Sequence, residues 1–120
     1  MINLIYEKTK NKTYEECGYE FDKDKKILNQ ICNYGNIQEV RIDIYTEKPY
    51  MLFGRIIENK VIMSNIDNQI TFSKRDRHKT VVLDLLFNEI ENCFVKKYSD
   101  KRYSILFTIC NISYEMLVII

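Results

Sequence analysis

The stretch TVVLDLLFNEIENCFVKKY, residues 80–98, is the most strongly periodic part of the chain, and its period decides the fold class. On a wheel of about 100° per residue, Val82, Leu83, Leu86, Phe87, Ile90, Cys93 and Phe94 fall within an arc of roughly 140°, with Asp84, Asn88, Glu91 and Asn92 opposite. The spacing predicts an amphipathic helix. Upstream, Ser73 and Asp76 stand at the spacing of a capping box, so this helix is expected over about residues 74–97.

On either side the period is that of strands. In EVRIDIYT, residues 39–46, Val40, Ile42 and Ile44 share one face and Arg41, Asp43 and Tyr45 the other, which suits a half-buried strand. TEKP then turns the chain into YMLFGRIIE, a turn at Asn59–Lys60 leads to VIMS, and NIDN leads to QITFS. Strands joined by such short loops are antiparallel neighbours, because a parallel return needs a long crossover. Downstream, RYSILFTIC and YEMLVII flank a short NIS turn and read as two central strands, since the second ends in continuously apolar residues.

Near the start, residues 2–7 are apolar enough for a first strand. Ile27, Leu28, Ile31 and Cys32 then mark a short helix over about residues 23–34, with Asp22 to cap it and Gly35 for the left-handed position beyond it. The expected order is β-α-β-β-β-β-α-β-β. That is a single α+β domain, residues 1–120, with a mostly antiparallel sheet of about five to seven strands and both helices packed on it.

Length and composition fit one self-contained globular unit: 46% of the 120 residues are hydrophobic and 29% charged. Ile, Lys, Asn and Tyr make up 51 of the 120 residues and alanine is absent. All four have A/T-rich codons, so lysine or asparagine richness is discounted as a functional signal. The net charge of +1 argues against a protein whose affinity comes from neutralising phosphates. No basic region precedes an apolar segment at the N-terminus, and MLVII is far short of the roughly 20 residues that span a bilayer. A cytoplasmic protein without a membrane contact is expected. Cys17, Cys32, Cys93 and Cys110 include no short-spaced pair, so buried, reduced thiols are expected rather than a zinc site or disulfides.

Three groups of residues are candidates for function. Lys74, Arg75, Arg77, His78 and Lys79 crowd the expected start of the long helix. Cations there repel the positive helix end by about a few tenths of a kcal/mol each unless an anion is near, which makes them a candidate docking point for phosphate, carboxylate or a nucleic-acid backbone. A solvated charged turn accounts for the same residues more simply. Asp43 followed by Glu58-Asn59-Lys60 resembles the sparse D…E-x-K pattern of restriction-endonuclease-like enzymes. That resemblance implies carboxylates at Asp43 and Glu58 holding Mg²⁺, and Lys60 assisting the attacking water.

The third group is the acidic segment YEECGYEFDKD, in which Tyr14, Glu15, Glu16, Tyr19, Glu20, Phe21 and Asp22 interleave aromatics with carboxylates. Aromatics supply buried area and charge supplies steering, a combination suited to a basic protein groove. No Gly-rich phosphate loop, nucleophile elbow or H-E-x-x-H is present, so no cofactor and no catalytic residue is expected. The expectation is a non-enzymatic protein-binding domain, most concretely an inhibitor or immunity-type protein occluding a toxin or other effector with a basic groove. The alternatives are the small metal-dependent nuclease and a nucleic-acid or nucleotide-binding domain using residues 74–79.

Overall fold

The structure is a computed structural model and describes residues 13–46 and 51–120. The strand expected at residues 2–7 and part of the turn expected after Tyr45 lie outside them. The described residues form eight strands: β1 (Glu20–Phe21), β2 (Asn36–Tyr45), β3 (Leu52–Ile66), β4 (Gln69–Lys74), β5 (Val81–Leu86), β6 (Glu91–Ser99), β7 (Arg102–Ile109) and β8 (Ile112–Ile119). The one α-helix among them, α1, spans Lys26–Cys32. All the strands join one antiparallel sheet in the order β1-β6-β7-β8-β2-β3-β4-β5.

This corrects the α+β expectation, because there is no helix over residues 74–97. Residues 81–86 and 91–99 are strands, separated by a single turn of 3₁₀ helix at Phe87–Glu89. Leu83 and Leu85 lie opposite Phe72 and Ile70 on the buried face, while Leu86 points out and is 47% exposed. In β6 both faces are covered, with Cys93 and Val95 buried on one side and Phe94 on the other. A strand buried on both faces has no alternation to read, so its apolar run mimics a helical period.

The break between the two strands is marked by neither glycine nor proline. Asn68, left-handed in the β3–β4 turn, supplies it. Its carbonyl accepts the Phe87 N–H at 2.8 Å, and its side-chain oxygen accepts the Asn88 N–H at 2.8 Å. The expected cap at Ser73 is absent too: Ser73 lies inside β4, and Asp76 organises the β4–β5 loop by accepting the N–H groups of His78 and Thr80.

The hairpin turn expected at Asn59–Lys60 is instead a kink within the single strand β3. Lys60 takes a left-handed backbone (φ 54°), and burial changes phase across it, from Ile56 and Glu58 to Val61 and Met63. Arg75 fastens the kink, its N–H bonding the Lys60 carbonyl at 3.0 Å and its guanidinium donating to the Ile37 carbonyl at 3.1 Å. β3 therefore pairs with β2 along its first part and with β4 along its last.

The sheet curls around α1. In a flat sheet the six spacings between β5 and β6 would cover roughly 29 Å at about 4.8 Å each. The link from Leu86 to Glu91 reaches at most about 18 Å, so the two ends must bend toward each other. Inside the curl, Leu28, Ile31 and Cys32 of α1 meet Ile42, Met63, Phe72, Ile105, Met116 and Val118 in one buried cluster.

The short helix does begin and end as its residues suggest. The buried Asp22 carboxylate accepts the N–H groups of Ile27 and Leu28, both at 2.9 Å, and Gly35 is left-handed beyond the end (φ 78°). The helix itself is shorter than expected, since residues 23–25 form a separate 3₁₀ turn. None of the described helices is long and apolar enough to cross a membrane.

Candidate functional site

Pairing registers assign the side chains on the sheet's outer face, away from α1. Arg41 and Asp43 of β2, predicted to share a face, do so, and β3 sets Ile57 opposite Arg41 and Arg55 opposite Asp43. On the other side β8 sets Leu117 beside Arg41 and Glu115 beside Asp43. β7 continues the rows with Ser104 and Leu106, and β6 with Lys96 and Phe94. Two rows of side chains thus cross five strands.

Segment 13–21 covers one end of this face. Tyr14 stacks on Phe94 with ring centroids 4.1 Å apart, and Tyr19 packs beside them with Leu106. The Tyr19 hydroxyl and the Ser104 hydroxyl are hydrogen-bonded at 2.7 Å. Burial lifts the Tyr19 phenol to about 12, despite the lowering effect of that bond.

Beyond the covered end lies a cleft of about 280 Å³, lined by Tyr19, Arg41, Asp43, Tyr45, Arg55, Tyr98, Arg102, Ser104, Glu115 and Leu117. Asp43 is its anchor. Its side chain is 6% exposed, whereas those of Arg41 and Arg55 are each 44% exposed. Arg55 Nε donates to Asp43 Oδ1 at 2.7 Å and Arg41 Nη2 donates to Oδ2 at 3.3 Å. Burial raises the Asp43 carboxyl, but these hydrogen bonds and the two guanidinium charges overcome that effect and hold it below the ordinary carboxylate range. On the far wall, the Arg102 guanidinium carbon lies 5.1 Å and Lys96 Nζ 4.9 Å from the Tyr98 ring centre.

The groups singled out from the sequence are dispersed, although Tyr19 and Asp43 both line this cleft. In the acidic segment Tyr14, Tyr19 and Asp22 are buried, so they hold the fold; Glu15, Glu16, Glu20 and Phe21 are exposed. In the basic group Lys74 pairs with Glu58 at 3.6 Å and Arg75 serves the kink, leaving Arg77, His78 and Lys79 exposed on the β4–β5 loop. Asp43 faces outward with Arg55, whereas Glu58 lies opposite the buried Val40 on the inner face. The two carboxylates point to opposite sides of the sheet, so one metal ion cannot bridge them, and Lys60 is the kink residue.

The thiols are free but not uniformly buried: Cys32 and Cys93 are buried, Cys17 is partly covered and Cys110 is exposed. Arg55, Tyr98, Arg102 and Glu115 were not candidates from the sequence, because only the strand pairing brings them beside Arg41 and Asp43. The single legible sign was the outward triad Arg41, Asp43 and Tyr45.

Comparison of the chain with protein-family models, with curated proteins and with solved structures found no match.

Proposed function

We propose that this chain is a protein-binding domain of inhibitor or immunity type, which occludes a toxin or other effector protein with the outer face of its sheet. The observation that supports this reading is the composition of that face where no described segment covers it. Phe53, Ile57 and Tyr98 are 58%, 53% and 50% exposed, and half-exposed Arg41 and Arg55 stand among them. Aromatic side chains and arginine around a partly desolvated depression are the residues that carry binding energy in protein interfaces. Large apolar side chains left exposed beside arginines on one face of a sheet support a partner surface there.

The acidic segment contributes differently from the expectation of a basic groove. Tyr14 and Tyr19 are spent on the sheet, and Glu20 lies opposite the inward-facing Val95, away from the arginine-rich outer face. The partner surface is therefore expected to be acidic at the point facing Arg41 and Arg55 and apolar around it.

The test is capture from the native host with three baits: wild type, Arg55→Glu combined with Ile57→Asp, and Arg77→Glu. The reading expects one partner held by wild type and Arg77→Glu and lost from the double variant. That partner, expressed alone in a bacterium, should arrest growth, and co-expression of this protein should relieve the arrest. A partner held equally by all three baits, or one whose activity the protein leaves unchanged, contradicts the proposal.

A further inference from the structure

We infer that the cleft at the centre of the outer face is a receptor for a single carboxylate, supplied by an aspartate or glutamate side chain of the partner. The inference rests on the outer face being the binding surface and adds the chemistry of its anchor. Asp43 is the key to the geometry. A buried carboxylate holding two half-exposed arginines fixes their planes without consuming their donors. Each guanidinium carries five N–H groups, yet Arg55 directs only Nε and Nη2 at Asp43 and Arg41 only Nη2. The remaining donors of both have no partner among the described residues. Arg102 lines the same cleft, its guanidinium over the Tyr98 ring and with no carboxylate partner among the described residues.

Charge and size select the guest. Three arginines against Asp43 and Glu115 leave one positive charge among the lining residues, with Lys96 at the rim. The site therefore favours an anion, and the choice of a carboxylate rests on the size of the cleft and the planarity of its guanidinium groups. A volume of about 280 Å³ is at the small end for ligand pockets and suits one side chain, not a nucleotide. Planar guanidinium forks match a carboxylate through paired hydrogen bonds. Leu117 and the Tyr98 ring offer apolar contact to the methylene groups of such a side chain.

The experiment uses acetate and inorganic phosphate as probes, titrated separately into ¹⁵N-labelled protein while the arginine Nε–H signals are followed. The expected result is saturable movement of the Arg41, Arg55 and Arg102 signals by acetate. Arg55→Gln or Arg102→Gln should weaken that binding by about tenfold, and Arg77→Gln should leave it unchanged. Movement without saturation, or equal movement at Arg77, would show general ion screening and overturn the inference. Tighter binding of phosphate than of acetate at a pH where phosphate is mostly dianionic would overturn the choice of a carboxylate.

The two readings fail separately. If acetate does not bind but Ile57→Asp still abolishes capture of the partner, the carboxylate anchor falls and the protein-binding surface stands. If acetate binds as expected but capture survives every outer-face change, the surface reading falls.

Discussion

Leu85 and Leu86 are adjacent leucines that the strand and the helix readings of residues 80–98 assign to opposite environments. In β5 Leu85 faces Ile70 within the core and is 8% exposed, while Leu86 is 47% exposed. Truncating a buried leucine to alanine removes its transfer free energy and leaves a cavity, together about 2–5 kcal/mol. Leu85 sits on the edge strand of the sheet, where the site can partly collapse, so Leu85→Ala should cost about 2–3 kcal/mol. Leu86 already keeps about half its surface in water and leaves no enclosed cavity, so Leu86→Ala should cost about 1 kcal/mol or less. Urea unfolding followed by circular dichroism reads the difference. With a slope of about 2 kcal/mol per molar, the Leu85→Ala midpoint should lie about 0.5–1.5 M below that of Leu86→Ala. Equal midpoints, or a lower one for Leu86→Ala, would restore the helix, in which Leu86 is central to the apolar arc.

Three further outcomes follow from the described contacts. Cys110, exposed in the β7–β8 turn, should react quickly with a thiol reagent in the folded protein, whereas Cys32, raised to about 12 by burial, and Cys93, raised further by burial beside Asp22, should react only on unfolding. Between the ordinary phenol value of about 10 and the folded Tyr19 value of about 12, the unfolded chain releases the Tyr19 proton while the folded chain keeps it. Stability should therefore fall as pH rises through that window, and urea midpoints of Tyr19→Phe should fall less steeply there. Asp43 has the opposite sign: its carboxyl is held low by Arg55 and Arg41, so its contribution is present above the unfolded value of about 3.9 and is lost as pH falls through the lower folded value. Asp43→Asn should flatten the acid limb of the stability curve, and an unchanged acid limb would show that the arginine cluster does not act through Asp43.

What could be read from the chain, and what could not, divides along local and distant determinants. Antiparallel pairing was legible because alternation in residues 39–46 and the polar turn before Gln69 are local signals, although the turn read at Asn59–Lys60 is a kink inside β3. The α1 cap was legible for the same reason: Asp22 and Gly35 flank the apolar positions they serve. Residues 80–98 were misread because Asn68, the residue that breaks them, lies in another turn, and because covering both faces of β6 erased its alternation. The β-branched pair Val81 and Val82 and the absence of alanine were the local hints against a helix.

The candidate cleft depends still more on distance. Arg55 meets Asp43 only through the β2–β3 register, and Arg102 and Tyr98 arrive from β7 and β6. Tyr14 and Tyr19 looked like surface anchors because a segment without regular period gives no sign of which side faces inward. Their partners, Phe94 and Ser104, come from strands formed much later in the chain.

The most direct measurement is the affinity of the purified partner for wild type, Arg55→Glu and Arg77→Glu by titration calorimetry. With the outer face as the contact surface, Arg55→Glu should weaken binding at least about tenfold, a change of about 1.4 kcal/mol. Arg77→Glu, on the exposed β4–β5 loop, should leave the affinity within about threefold of wild type. Unchanged affinity in Arg55→Glu together with loss of binding in Arg77→Glu would move the contact to the loop and contradict the account.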